Sequence, residues 1–453
     1  LKEEKYMKLS AFWGGVHPPQ EKELTENKEI EKYLPSGDLI FPMAQNLGAI
    51  SQPLVKKGDS VLVGQKLGDC DAFVSAPVLS SVSGTVKEVG MKMTTAGLLE
   101  IAVVIENDGK YEKDASWKPL TNHENIDPKE YIARIREAGI VGYGGATFPT
   151  AVKLTPPDPQ KIKWLIINGA ECEPFINCDN RLMIEEPTKI IKGLKLLMRL
   201  FPNAEGIIGI ENNKPEAIKV MENEIKNQNG YKISVSPLKV KYPQGSEKML
   251  IEAITGLEYP VTALPADIGC IVLNVRTVHQ IYEAIAEGTP STTRIVTVTG
   301  DAIKTPKNIL MPLGTSVSEL IEFCGGFKEE PAKIISGGPM MGVTLRSIDV
   351  PVVKSTSGIL ALTKKSAYIG EETECIRCGR CVDVCPIGLL PNTLNRIVLL
   401  RDYEAFEANG GLNCTECGSC SYICPANRHL TQTFRDGKTT VMALKRKAAK
   451  NNG

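Results

Sequence analysis

Residues 375–386 read CIRCGRCVDVCP and residues 414–425 read CTECGSCSYICP, so one spacing, Cys-x2-Cys-x2-Cys-x3-Cys-Pro, occurs twice. No other stretch limits the fold as strongly. A cubane iron–sulfur cluster requires three thiolates on one tight loop and a fourth just beyond it, whereas zinc is satisfied by two Cys-x2-Cys pairs and has no use for the third cysteine or the proline. Where two such runs share one small fold, the fourth cysteine of each serves the opposite cluster. The spacing therefore predicts one [4Fe-4S] centre on Cys375, Cys378, Cys381 and Cys424, and a second on Cys414, Cys417, Cys420 and Cys385. Disulfide pairing is the competing explanation. Of the 13 cysteines, the five outside the motifs (Cys70, Cys172, Cys178, Cys270 and Cys324) lack framework spacing, which fits a reducing compartment instead.

A chain of 453 residues has room for about three domains, so small separate modules are expected. With 42% hydrophobic and 23% charged residues, neither wholesale disorder nor a membrane-embedded chain is indicated. No apolar run approaches the roughly 18 residues of a transmembrane helix, and LKEEKYMKLS lacks a secretory apolar core, so a cytosolic protein is expected. Lys+Arg and Asp+Glu balance at 53 each, leaving no global basic field for nucleic acid.

Between residues 38 and 105, ISQPLVKKGDSVLVGQKLGD and VSAPVLSSVSGTVKEVG form two similar halves, each with an apolar strand, a glycine turn and another strand. This resembles the barrel-sandwich fold of biotinyl and lipoyl carrier domains. In that family the modified lysine sits on the hairpin between the halves. Here the hairpin is DCDAF, residues 69–73, without lysine, and MKM at 91–93 follows the second half, so a docking or structural module is expected.

PKEYIARIREAGI, 128–140, has helical periodicity and runs into the glycine-rich loop VGYGGATFPTAVK. KWLIINGAECEP, 163–174, reads as a buried strand with polar residues at its end. Helices and strands then alternate through EEPTKIIKGLKLLMRLF, EGIIGIE, KPEAIKVMENEIKNQ and KISVSPL. That alternation predicts a largely parallel sheet with ligands at the carboxyl ends of its strands. After residue 291, RIVTVTGDAIKTPKNILMPLGTSVSELIEFCGG has the look of a small β-grasp unit. ISGGPMMG, 335–342, is either a tight turn or a ligand loop, and RDGKTTVMALKRKAAKNNG is a basic tail.

Gly142, Gly144 and Gly145 let the backbone approach a phosphate or ring closely, and Lys153 is a candidate phosphate partner. This is not the dinucleotide fingerprint, because Thr147 stands where the last glycine belongs and the loop follows a helix. Asn168, Glu171 and Glu173 gather at a strand end, where two carboxylates repel a phosphate but suit ribose hydroxyls and a carboxamide. Taken singly, each loop is equally well an exposed turn.

Taken in order, GYGGATFPTAVK, NGAECEP, PQGSEKML and LNVRT resemble the flavin and NADH loops of the 51-kDa flavoprotein subunit of respiratory complex I. With the barrel-sandwich module, the β-grasp segment and the doubled cysteine motif, nearly the whole chain resembles the C-subunit family of the Rnf complex. The resemblance implies a multidomain α/β protein. Its expected parts are a barrel-sandwich module (residues 1–120), a Rossmann-like FMN/NADH domain (121–290), an SLBB β-grasp domain (291–350), an α-helical double [4Fe-4S] ferredoxin-type domain (351–435) and a basic tail (436–453). Carried over by matching position, Gly142, Gly144, Lys153, Asn168, Glu171 and Asn274 hold FMN, with Gly145 of the same loop a further cofactor-binding candidate. Phe148 stacks on the nucleotide, and Glu173 and Glu247 help to place it. Ala170 and Ser246 depart from the complex I pattern, which has acidic residues there.

The resemblance further implies an ion-translocating ferredoxin:NAD oxidoreductase subunit with FMN, NAD(H) and two clusters and no protein nucleophile. Its expected partners are the other Rnf subunits, with ferredoxin reached indirectly and no nucleic acid, and its expected place is peripheral, at the cytoplasmic face of the cell membrane. A soluble flavin and iron–sulfur cobalamin reductase is the alternative enzyme, and a biotin or lipoyl carrier with accessory clusters is the alternative non-enzyme.

Overall fold

A strand that is apolar on both faces is stable only where both faces are covered, as in the middle of a parallel sheet. The computed structural model, which describes residues 9–451 except 122–126, 229, 261 and 369, gives the WLII run that position. Trp164–Gly169 pairs in parallel with Glu205–Glu211 on one side and Cys270–Asn274 on the other, and Ile233–Leu238 extends the sheet beyond Glu205–Glu211. Helices Pro187–Leu200, Pro215–Asn227 and Val275–Ala286 bury Leu165 and Ile167 in the main core. Helix Glu247–Thr255 covers the opposite face through Leu250 and Ile251 against Ile166 and Val272. In chain order the strands run 3-2-1-4. The direction of winding therefore reverses between Trp164–Gly169 and Cys270–Asn274, which opens a crevice at their carboxyl ends.

The barrel sandwich packs an antiparallel sheet of Leu39–Pro42, Leu99–Asn107, Gly84–Met93 and Ser60–Val61 on a three-stranded sheet of Gln52–Pro53, Lys66–Asp69 and Val78–Leu79. Leu39, Phe41, Leu67, Val78, Val103 and Ile105 fill the space between them. MKM lies inside the strand Gly84–Met93, where Lys92 Nζ is 2.7 Å from Glu88 Oε2, a paired surface lysine.

The β-grasp sheet draws strands from outside the 291–350 stretch that the resemblance implies for it. Its six strands run Ile30–Lys32, Lys307–Pro312, Thr293–Thr299, Gly358–Leu362, Lys333–Ser336 and Val343–Thr344, beside helix Val317–Phe323. The first strand comes from the N-terminal segment and the fourth from beyond residue 350, because a fully buried run such as GILAL needs pairing partners on both sides.

Residues 10–32 form a strap. Ser10 bridges to Leu238, Val16 to Tyr242, and Ile30 pairs with Asn308. The cluster module is built of short helices, Arg380–Asp383, Pro391–Leu399, Tyr403–Ala408 and Ser419–Tyr422, closed by the 22-residue helix Leu430–Asn451. The expected basic tail is therefore helical. Phe434 and Val441 are buried against Leu394, Val398 and Phe406, while residues 442–448 are exposed. No helix of the described residues is long and apolar enough to cross a membrane.

Candidate flavin, nucleotide and cluster sites

The glycine loop is closed at its base by Gly142 N–H donating to Phe148 O at 2.9 Å. Tyr143 anchors it from below. Its N–H donates to Thr277 Oγ1 at 3.1 Å, its hydroxyl meets Ser291 Oγ, and the Arg294 guanidinium lies 4.9 Å from its ring centroid. Gly144, Gly145 and Ala146 are left exposed at the tip. Gly144 has φ +81°, and a Cβ there would come 2.9 Å from Asn274 Nδ2, so any side chain would enter the crevice. A Cβ on Gly145 would meet no atom within 4 Å. Phe148 is half-buried beside this opening.

Asn168 and Asn274 are register partners at the ends of the two strands flanking the crevice. Asn168 Nδ2 donates to Gly245 O at 2.8 Å, which holds the PQGSEK loop against the sheet. Asn274 Oδ1 accepts from Arg276 N at 2.8 Å, capping helix Val275–Ala286, and its Nδ2 donates to Asp179 Oδ2 at 2.6 Å. Lys153 Nζ lies 2.6 Å from Glu247 Oε2 and donates to Val272 O at 3.1 Å. These contacts bring the four loops of the expected constellation together.

The two glutamates of NGAECEP do not stand open for ribose hydroxyls. Glu171 accepts from Asp179 N at 2.6 Å and Asn180 N at 3.1 Å, so its carboxylate caps helix Cys178–Glu185. Glu173 accepts from Met340 N at 3.1 Å, Met341 N at 2.9 Å and Tyr242 Oη at 3.4 Å. Burial pushes the Glu173 carboxyl up to about 6 against the opposing pull of those amides. ISGGPMMG is thus a side-chain receptor within the fold. A Cβ on Gly338 would fall 2.2 Å from Glu173 Oε2, so only glycine leaves room for the carboxylate.

Residues that sequence reasoning missed complete the crevice: Tyr143, Asp179, Lys22 from the strap, and Lys214, whose Nζ donates to Ala170 O at 2.7 Å. Only Asp179 lies close enough in sequence to NGAECEP to have been found. Both polar atoms of the wholly buried Gln244 amide and Oδ1 of Asn180 have no hydrogen-bond partner among the described residues. Together with the open glycine tip, such orphaned groups suit a polar ligand such as a flavin nucleotide.

In the cluster module, Cys375, Cys378, Cys381 and Cys424 line one cavity with Asn392, Asn395 and Arg428. Cys385, Cys414, Cys417 and Cys420 line a second with Thr431 and Phe434. Each cavity therefore gathers three cysteines of one motif and the fourth of the other. Leu389 N donates to Cys385 Sγ and Glu416 N to Cys414 Sγ, both at 3.3 Å. Burial pushes the Cys414 thiol up to about 11 and the Cys420 thiol up to about 12, a cost that iron's positive charge would offset. Four cysteines lining each cavity, with amide donors to two of the sulfurs of the second, fit a [4Fe-4S] cluster at each. Cys375 and Cys378 are exposed, whereas Cys385, Cys417 and Cys420 are buried. Cys417 packs with Val16, Tyr242 and Met340, and Tyr242 and Met340 also bind Glu173, so the second cavity adjoins the NGAECEP loop.

Four family profiles match successive stretches. They are the RnfC barrel sandwich hybrid domain over residues 10–110, the Nuo51 FMN-binding domain over 135–283, the SLBB domain over 295–344 and the 4Fe-4S dicluster domain over 367–425. Over 441 residues the chain is 46% identical to the C subunit of the Na(+)-translocating ferredoxin:NAD(+) oxidoreductase complex of Acetobacterium woodii, covering 97% of this chain and 99% of that one. The chain belongs to the RnfC family. Other RnfC relatives agree. The C subunit of the proton-translocating ferredoxin:NAD(+) oxidoreductase complex of Clostridium ljungdahlii is 47% identical over 85% of this chain and 84% of its own length. The C subunit of the ion-translocating oxidoreductase complex of Rhodobacter capsulatus is 43% identical over 94% of this chain and 82% of its own.

Proposed function

We propose that this RnfC chain is the NAD(H)- and FMN-binding electron-transfer subunit of a membrane-bound, ion-translocating ferredoxin:NAD oxidoreductase. The observation that carries this reading is the contiguity of the crevice with the second cluster cavity through Glu173, Tyr242, Met340 and Cys417. FMN, when bound, exchanges hydride with NAD(H) and single electrons with clusters. Gly142, Gly144 and Gly145 let its phosphate approach the backbone, and Lys153 supplies a cation there. Asn168, Glu171 and Asn274 would help to hold FMN at the strand ends. Phe148 would stack on the nucleotide and Glu247 would help to place it, with Glu173 acting through the Met340–Met341 segment whose amides it binds. No side chain is required to react.

Cys385, Cys414, Cys417 and Cys420 hold the centre beside the flavin. Cys375, Cys378, Cys381 and Cys424 hold the outer centre, whose exposed Cys375 and Cys378 suit exchange with a neighbouring protein of the complex. The chain sits peripherally on the cytoplasmic face, docked to the integral membrane and iron–sulfur or flavin subunits, and meets ferredoxin only through them. The described residues offer no membrane-crossing helix, and the exposed turns 442–448 carry Lys445, Arg446 and Lys447.

The test is anaerobic titration of the reconstituted chain with NADH. Flavin absorbance should bleach and cluster EPR signals should grow, with flavin released intact on acid precipitation. An unbleached flavin would remove the NAD assignment, and flavin retained on the precipitate would mean covalent attachment.

A further inference from the structure

The strap carries one side chain that no resemblance assigns. Lys22 is 4% exposed, and its ammonium donates to the carbonyls of Glu171 at 3.0 Å, Glu173 at 3.0 Å and Ile176 at 2.5 Å. An ammonium has three N–H groups, so its whole donor capacity is committed to one short loop. The loop is wound tightly around it: Glu171 and Phe175 both take positive φ, at 48° and 69°. The strap backbone grips the same loop, with Phe175 N donating to Gln20 O at 2.9 Å and Asn177 Nδ2 to Lys22 O at 2.8 Å.

The other ties of this loop are made by side chains. Glu171 reaches helix Cys178–Glu185 and Glu173 reaches ISGGPMMG. A carboxylate can hold its place only if the backbone that carries it is fixed, and three carbonyls of that backbone are fixed by Lys22. Its partners are carbonyl dipoles and not a carboxylate, so the group acts as a central pin for a polar turn. Lys214 does the same for Ala170 from the other side.

We infer that Lys22 is a positioning residue for the nucleotide step, setting Glu171 and Glu173 by pinning the backbone from Glu171 to Ile176. The inference rests on the reading of the crevice as the flavin and NADH site. It brings the N-terminal strap into that site, although the strap lies far from it in sequence.

The experiment uses the full chain, reconstituted with FMN and both clusters, as wild type, Lys22→Met, Lys22→Arg and Lys28→Met. Lys28 Nζ donates to Pro306 O at 2.9 Å, a tie from the same strap that does not touch the loop. Half-saturating NADH for flavin bleaching and the limiting rate are measured, with amide hydrogen exchange of residues 171–177 in the flavin-free chain. Bonds from a charged donor are strong enough that Lys22→Met should raise half-saturating NADH and loop exchange about tenfold or more. Lys22→Arg should fall between Lys22→Met and wild type, Lys28→Met should match wild type, and both clusters should remain reducible by dithionite in every variant. Wild-type NADH dependence in Lys22→Met would overturn the inference, as would equal losses in Lys28→Met. Failure of both Lys22 variants to fold would overturn it too, because the role would then be structural alone. A wild type that NADH does not bleach would instead sink the reading of the crevice itself.

Discussion

Asn168 and Asn274 are register partners across two adjacent parallel strands, and their side chains hold different walls of the crevice, Asn168 the PQGSEK loop and Asn274 the start of helix Cys178–Glu185. The pair turns a break in the winding of the sheet into a bounded site. Because Asn274 also caps helix Val275–Ala286, its loss has two separable effects.

Asn274→Ala should lower stability by about 1–2 kcal/mol through the lost cap and the unsatisfied Asp179. Asn274→Asp should keep the cap yet set a carboxylate against the buried Asp179, so near neutral pH it should recover no stability over alanine and hold flavin no better. Chemical denaturation and flavin retention on gel filtration check both.

Crossed ligation makes a distinctive claim about Cys385. Cys385→Ser should damage the centre that shares its cavity, that of Cys414, Cys417 and Cys420, and spare the centre of Cys375. Iron counting and low-temperature EPR read this directly, and damage confined to the Cys375 centre would refute the assignment.

Gly338→Ala should mimic loss of Glu173. The added methyl would occupy the place of Glu173 Oε2, 2.2 Å away, and push the carboxylate off the Met340 and Met341 amides. Half-saturating NADH should shift in the same direction as in Glu173→Gln, whereas Gly145→Ala, which meets no neighbour in the free chain, should alter flavin binding instead.

Relay and nucleotide step should separate by mutation. Cys417→Ser should leave NADH bleaching of the flavin largely intact while stopping ferredoxin-linked NAD reduction in the assembled complex. Glu247→Ala should weaken the nucleotide step with both clusters still reducible by dithionite. Its stability should change by less than about 1 kcal/mol, since the Lys153–Glu247 pair is partly exposed. Full ferredoxin-linked activity in an assembled Cys417→Ser complex would place the relay elsewhere.

Lys354 gives the junction of the barrel sandwich and the flavin module a pH dependence. It is 1% exposed, donates to Pro77 O and Gly139 O, and burial lowers its ammonium to about 7 from 10.5. Between those values the unfolded chain keeps a proton that the folded chain has lost, so this group's contribution to stability rises with pH. Relative to Lys354→Met, the wild type should gain on the order of 2 kcal/mol from pH 7 to pH 9 in denaturation experiments. An unchanged difference would mean that the buried amine stays charged.

What the chain discloses in sequence follows the range of the interactions. The cysteine sets and the glycine loop are readable because their chemistry depends on spacing within one loop, and the alternating pattern from 163 to 238 is a local signal of a parallel sheet. The identity of the glutamates' partners is not local. Nothing in NGAECEP tells that Glu173 will be met by Met340, 167 residues away, or that Lys22, 149 residues before Glu171, will fill the turn. ISGGPMMG is legible as a turn or a ligand loop, but not as the receptor of a carboxylate from its own chain. Strands Ile30–Lys32 and Gly358–Leu362 fall outside the β-grasp stretch legible in sequence for the same reason, since only their distant neighbours make them part of one sheet.

The strap also dictates an order of events in the making of the protein. Gly15 N–H donates to Val384 O, between the cysteines of the first motif, and Lys28 reaches Pro306 across 278 residues. The strap therefore completes its contacts in stages: Lys22 and Ser10 meet their partners once residues 171–238 exist, whereas Gly15 and Lys28 wait for Val384 and Pro306, and contacts of such separation form late. The tie to Val384 is thus the one that joins the strap to the cluster module, and it closes only after that module has been synthesised.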